Sequence, residues 1–138
     1  MSALRIEDLH CQHQQQAILS GVSLTVEQNE ILCLLGASGG GKTTLLRAIA
    51  GLMPVSRGAI WLRGRQVEGA GRSVPTEQRE TGFIFQDYAL FPHLTVEQNL
   101  AFALRPLRLT AVEQRQRIAE MLELVALEAL ARRSSNSK

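Results

Sequence analysis

The stretch Gly36-Ala37-Ser38-Gly39-Gly40-Gly41-Lys42-Thr43-Thr44 limits what this chain can fold into more than any other. It fits the pattern G-x-x-x-x-G-K-[ST], whose expected place is between a strand and the start of a helix. Both flanks have that character. Ile31-Leu32-Cys33-Leu34-Leu35 is an unbroken apolar run, short enough for a strand covered on both faces, with Cys33 as a small core residue. Thr43 to Ala50 carries good helix formers at Leu45, Leu46, Arg47 and Ala48, with Gly51 placed to end the helix.

Glycines let the backbone wrap an anion closely, and the N–H groups of the loop and of the helix N-terminus then point at it. Lys42 supplies a point charge for β- and γ-phosphates, and the Thr43 hydroxyl supplies a ligand for Mg²⁺. A glycine-rich turn that matches by chance is the competing explanation, and the flanking strand and helix weigh against it. The motif implies a chain that binds, or descends from one that binds, a nucleoside triphosphate.

The rest of the composition excludes other classes. At 138 residues, 45% hydrophobic and 20% charged, the sequence is that of one ordinary globular domain. A net charge of +2, with no long basic block, argues against nucleic acid as a partner; Arg63 and Arg65, or Arg132 and Arg133, read as solvated faces. The two cysteines, Cys11 and Cys33, have neither disulfide-framework nor zinc spacing. No apolar stretch approaches the roughly 20 residues of a membrane span, and no signal-peptide pattern opens the chain, which points to the cytosol.

Along the chain, Met1 to Val26 reads as β structure, from a partial alternation at Leu4, Ile6 and Leu9 and a clean one at Val22, Leu24 and Val26. His10 to Gln16 reads as a polar connection. Within it, His10 and His13 have the i, i+3 spacing of helical metal ligands but lack further ligands. Ala59–Leu62 and Gln66–Val67 predict a hairpin around Gly64, Glu68 to Pro75 a loop, and Gly82–Phe85 a second buried strand. Thr95 and Thr110 each stand three residues before an acceptor, Gln98 and Glu113, so each predicts a capped helix start. In the second helix, Ile118, Met121, Leu122 and Val125 form an apolar stripe. Mixed charges around it favour a core helix over a DNA-recognition helix. Arg132 to Lys138 reads as a polar, disordered end, with residues 134–138 as the tail.

Two longer stretches carry a family likeness. Leu34 to Leu52, and Gly82-Phe83-Ile84-Phe85-Gln86-Asp87-Tyr88-Ala89-Leu90-Phe91-Pro92-His93-Leu94-Thr95-Val96, resemble the ATP-binding subunit of ABC transporters. Within that family they look most like bacterial importers of the ferric-iron type, with polyamine, sulfate and maltose importers as near rivals. The likeness runs from about Leu4 to about Arg133. It implies an α/β fold: the N-terminal part of a P-loop ABC ATPase core, with an antiparallel β subdomain. It also implies a parallel core sheet containing Ile31–Leu35 and Gly82–Phe85, runs that would stay exposed without neighbouring strands.

The resemblance further implies roles for matching residues. Gly36, Ala37, Ser38, Gly39, Gly40, Gly41, Lys42, Thr43 and Thr44 would bind ATP. Gln86, as the Q-loop glutamine, would join Thr43 at Mg²⁺ and couple nucleotide to permease. Tyr88, Leu90 and Phe91 would meet the transmembrane permease subunits. His13 takes the place of an aromatic residue that stacks on adenine, and Gly40 stands where the family commonly has cysteine or serine. A second ATP-binding subunit in a homodimer, and a peripheral place on the cytoplasmic side of the inner membrane, follow from the same likeness. The 138 residues contain no LSGGQ signature and no Walker B Asp-Glu, so no catalytic residue is assigned. That leaves an energy-coupling ATPase subunit, a non-catalytic nucleotide-binding remnant, and another soluble P-loop ATPase or kinase as alternatives; the stretch from Tyr88 to Val96 favours the first over the third.

Overall fold

The alternating residues at the start of the chain build most of the observed sheet. The computed structural model describes residues 2–87 and 89–134, which divide into two compact units at Phe83/Ile84. In the first unit, β1 (Ser2–His13) pairs antiparallel with β2 (Gln16–Glu27), aligning Leu4 with Val26, Ile6 with Leu24 and Leu9 with Val22. β3 (Arg57–Leu62) pairs with the other edge of β1, followed by β4 (Arg65–Gly69) and the short β5 (Arg72–Ser73), giving the order β2-β1-β3-β4-β5. Helix α1 (Lys42–Ala50) packs Leu45 and Ala48 into the sheet's core of Ile6, Leu9, Cys11, Leu19, Ile60, Val67 and Val74. Burial and the nearby Glu68 carboxylate push the Cys11 thiol above its ordinary pKa.

Several expectations change here. The connection between β1 and β2 is only Gln14-Gln15, both at positive φ, so His10 and His13 lie on a strand. Three residues do not make a helical turn there, and His10 Nε2 instead meets Asp8 Oδ1 at 2.9 Å. That hydrogen bond, with Arg57 beside it, holds the Asp8 carboxyl below its usual range. The predicted loop from Glu68 contains a further tight hairpin at Ala70-Gly71, again with both φ positive.

The larger change concerns Ile31–Leu35 and Gly82–Phe85, neither of which forms a strand. Ile31 is 90% exposed, Leu35 92% and Ile84 88%, and Cys33 is exposed rather than in the core. A strand is defined by its ladder. Among the described residues no neighbouring strand pairs with Ile31–Leu35.

In the second unit, α2 (Val96–Leu104) and α3 (Ala111–Leu124) both start with the predicted capping boxes, Thr95 with Gln98 and Thr110 with Glu113. Only Ile118 and Leu122 of the α3 stripe are buried; Val125 is 57% exposed. The chain after α3 is not free from Arg132 onward, because Val96 N–H donates to Arg133 O and Ser134 bridges Thr95. Residues 135–138 of the expected tail lie outside the described residues.

Thr110→Ala should reduce amide-exchange protection in the first turns of α3 about fivefold, the equivalent of about 1 kcal/mol for a lost N-cap. Hydrogen bonds from the Thr110 side chain and backbone hold the Glu113 carboxyl below its ordinary 4.5. Its part of the cap is therefore full above that value and is lost as pH falls through the lower folded one. Unchanged protection in the variant would contradict the assignment.

Candidate functional site

The loop between residues 36 and 42 owes its shape to one tight contact and one side chain. Gly41 caps α1 at φ 81°, and a Cβ there would come within 2.7 Å of Leu19 Cδ2 and 3.2 Å of Ile18 O. Both the backbone conformation and the space therefore demand glycine. The β1–β2 hairpin rests directly on the loop at this point. Gly40 N–H donates to Ala37 O at 3.2 Å, and a side chain at Gly40 would meet that oxygen at 3.1 Å.

Lys42 Nζ folds back and donates to Gly36 O and Ala37 O, both at 2.7 Å. No side chain caps α1 and its first turn holds no acidic residue. The N–H groups that lack helical partners there, on Lys42, Thr43 and Thr44, are thus available to an anion at the positive end of the helix. An anion would also offer Lys42 a stronger acceptor than either carbonyl. Thr43 is exposed in the same turn. At the other end, Leu52 N–H donates to Arg47 O and Gly51 N–H to Ala48 O, the Schellman ending that the glycine predicted.

The remaining predicted residues are spread over both units. His13 is exposed at the end of β1, beside the tight turn of the hairpin that touches Gly41. Gln86 is exposed at a turn in the second unit. Tyr88 lies outside the described residues. Leu90 is 58% exposed and Phe91 36%, so neither is core. Asn99 holds Phe91 by its main chain, accepting from its N–H at 2.9 Å and donating to its O at 3.2 Å. The Phe91 ring meets Phe102 edge-on at 4.6 Å.

Sequence reasoning missed Arg79. It is 3% exposed, ion-paired with Glu68, and bonded to carbonyls at the end of α1. No periodic pattern marks it, since its partners come from three separate segments. Arg79 also lines a cavity of about 510 Å³ with Arg63, Arg65 and Thr81. Those arginines are already engaged, Arg63 with Glu80 at 3.6 Å and Arg65 with Gln78 O at 3.4 Å, and no residue of the phosphate loop lines the cavity.

A glycine-rich loop closed by a lysine opens an uncapped helix, the loop-to-helix half of the P-loop pattern, and residues 31–35 before it form no strand. Residues 19–138 match the ABC transporter family model, and the chain belongs to that family. It is 44% identical over 133 residues to the Fe(3+) ions import ATP-binding protein FbpC of Streptomyces coelicolor, covering 96% of this chain and 37% of that protein. It is 43% identical over 131 residues to the spermidine/putrescine import ATP-binding protein PotA of Legionella pneumophila, covering 95% of this chain and 35% of that one. The chain thus spans about a third of the length of these relatives. Among solved structures, the ATP-binding cassette MJ0796 bound to ADP and Pi superposes with a TM-score of 0.82 at 22% identity, over 98% of this chain and 62% of that one. The cbiO1 protein of Clostridium perfringens, part of the ABC transporter complex cbiONQ, superposes at 0.78 with 26% identity, over 96% and 54%. The expected fold class therefore stands. Among the described residues no helix is long and apolar enough to cross a membrane.

Proposed function

We propose that this chain forms the nucleotide-binding face of an importer's ATPase subunit, taking Mg-ATP on the loop from Gly36 to Thr44. The observation that carries this is Lys42 folded over the loop at the uncapped start of α1. The triphosphate would draw Nζ from the Gly36 and Ala37 carbonyls and accept from the first-turn N–H groups. The exposed Thr43 hydroxyl, in the first turn of the same helix, offers Mg²⁺ a neutral oxygen ligand.

In this reading the exposed, backbone-clamped turn at Leu90 and Phe91, with Tyr88, receives the permease subunits. A second ATP-binding subunit, in a homodimer on the cytoplasmic face of the inner membrane, would complete the hydrolytic site. Hydrolysis needs a carboxylate that orients water and a partner's signature over the γ-phosphate, roles that no described residue is assigned. The imported solute is ferric iron or a polyamine. The relatives divide between the two at nearly equal identity. In this reading these residues handle nucleotide, and the solute is chosen mainly by the permease and its binding protein.

Calorimetric titration of the full chain with Mg-ATP tests the nucleotide site, with saturable binding expected and a flat titration overturning it. The adenine side has its own test. His13→Tyr should tighten Mg-ATP binding by about 0.5–1.5 kcal/mol if the ring stacks on the base, and should leave tripolyphosphate binding unchanged. Equal tightening of both ligands would show that position 13 does not meet adenine.

A further inference from the structure

Resting on the nucleotide-binding reading above, we propose that Arg79 is a positioning residue for the phosphate loop. It holds the far end of α1 so that the near end presents Lys42 and Thr43 to phosphate. All faces of its buried guanidinium are used. Nε donates to Val74 O at 2.7 Å, and one terminal nitrogen donates to Ala48 O at 2.9 Å and Ile49 O at 3.2 Å. The other terminal nitrogen donates to the Glu68 carboxylate, which also accepts from the Ser73 hydroxyl at 2.9 Å.

The same segment grips the helix once more, through Thr76 Oγ1 donating to Gly51 O at 2.9 Å. Gly51 is shaped to admit the guanidinium, because a Cβ there would stand 2.6 Å from Arg79 Nε. A cation over the last carbonyls of a helix lies at the negative end of its dipole, and here it adds a second donor to Ala48 O, which already accepts from Gly51 N–H, and one to Ile49 O.

The length of α1 makes this anchoring matter for the site. At nine residues, roughly 14 Å, the helix is too short to be stable or oriented by itself. Its direction comes from Gly41 against Leu19 at the phosphate end, Leu45 and Ala48 in the core, and Arg79 with Thr76 at the far end. With Arg79 gone, the far end keeps only the Thr76 bond to Gly51 O, α1 tilts more readily about Gly41, and the Lys42 amine and first-turn N–H groups shift against a ligand whose phosphates need all of them together.

The competing explanation is a buried ion pair that matters only for stability, and the two separate experimentally. In the full chain, Arg79→Met should weaken Mg-ATP binding at least tenfold by calorimetry, while Arg79→Lys, which keeps a cation near the carbonyls, should recover most of the loss. The double variant Glu68→Leu/Arg79→Met no longer strands a buried carboxylate. Its stability, followed by Trp61 fluorescence, should return toward that of the wild type. Its affinity should stay weak, because Ala48 O and Ile49 O remain without the guanidinium that held them. Affinity that recovers together with stability in the double variant would overturn the positioning role, as would Arg79→Met binding as tightly as wild type. A wild-type chain that binds no Mg-ATP would instead bring down the nucleotide reading on which this one rests.

Discussion

Replacing Lys42 by methionine or alanine should weaken Mg-ATP binding at least a hundredfold. Nζ is the one cation seated on the loop among the described residues, and it already spans Gly36 O and Ala37 O at 2.7 Å. Turning to a triphosphate, it would exchange two carbonyls for two charged oxygens. Each such contact is worth about 1.5–3 kcal/mol, so losing two costs about 3–6 kcal/mol, with a hundredfold at the low end. Methionine keeps most of the aliphatic stem and removes only the charge. It should therefore spare the fold, since Gly36 and Ala37 are exposed and water can take the vacated carbonyls. Calorimetric dissociation constants that agree within a factor of two between wild type and Lys42→Met would sink the phosphate-loop assignment.

The second large effect is on stability. The 138-residue chain by itself should bind the dye ANS strongly and unfold over a broad denaturant range, with a slope well below that of an ordinary domain of its size. Ile31, Leu35 and Ile84 are each close to fully exposed, and Leu32 is 46% exposed. Burying an aliphatic side chain of this size contributes about 1.5–3 kcal/mol. Three left in water forgo about 5–9 kcal/mol, as much as holds many whole domains together. The denaturant slope scales with surface newly exposed on unfolding, and here a share of it is exposed already. The sheet has its own core around Ile6, Leu9, Ile60 and Val67, so Trp61 on β3 should still report a folded environment at low denaturant. A monomer that does not bind ANS and unfolds in one steep transition would show that these runs are covered in solution.

Local patterns in the sequence were enough for the features that local chemistry decides. The helix from Lys42 to Ala50 with its glycine ending, the hairpin at Gly64 and both threonine capping boxes depend on residues within a few positions of one another. Short-range hydrogen bonds and φ preferences settle such features before any tertiary contact forms. Alternation along β1 likewise places Leu4 and Ile6 on one face, but Leu9 joins Ile6 in the core only through the register shift between them, where Asp8 has φ 46°. Other outcomes belong to the tertiary structure. Ile31–Leu35 is as apolar as a buried strand, yet a strand needs a partner's N–H and C=O groups, and no run of side chains supplies them. His10 and His13 have ligand-like spacing only on a helix, and pairing with β2 put them on a strand. Arg79 has no local signature because its partners, at the end of α1, on β4 and on β5, are joined only by folding. A charged side chain is buried there because distant carbonyls and one carboxylate converge to replace the water it leaves.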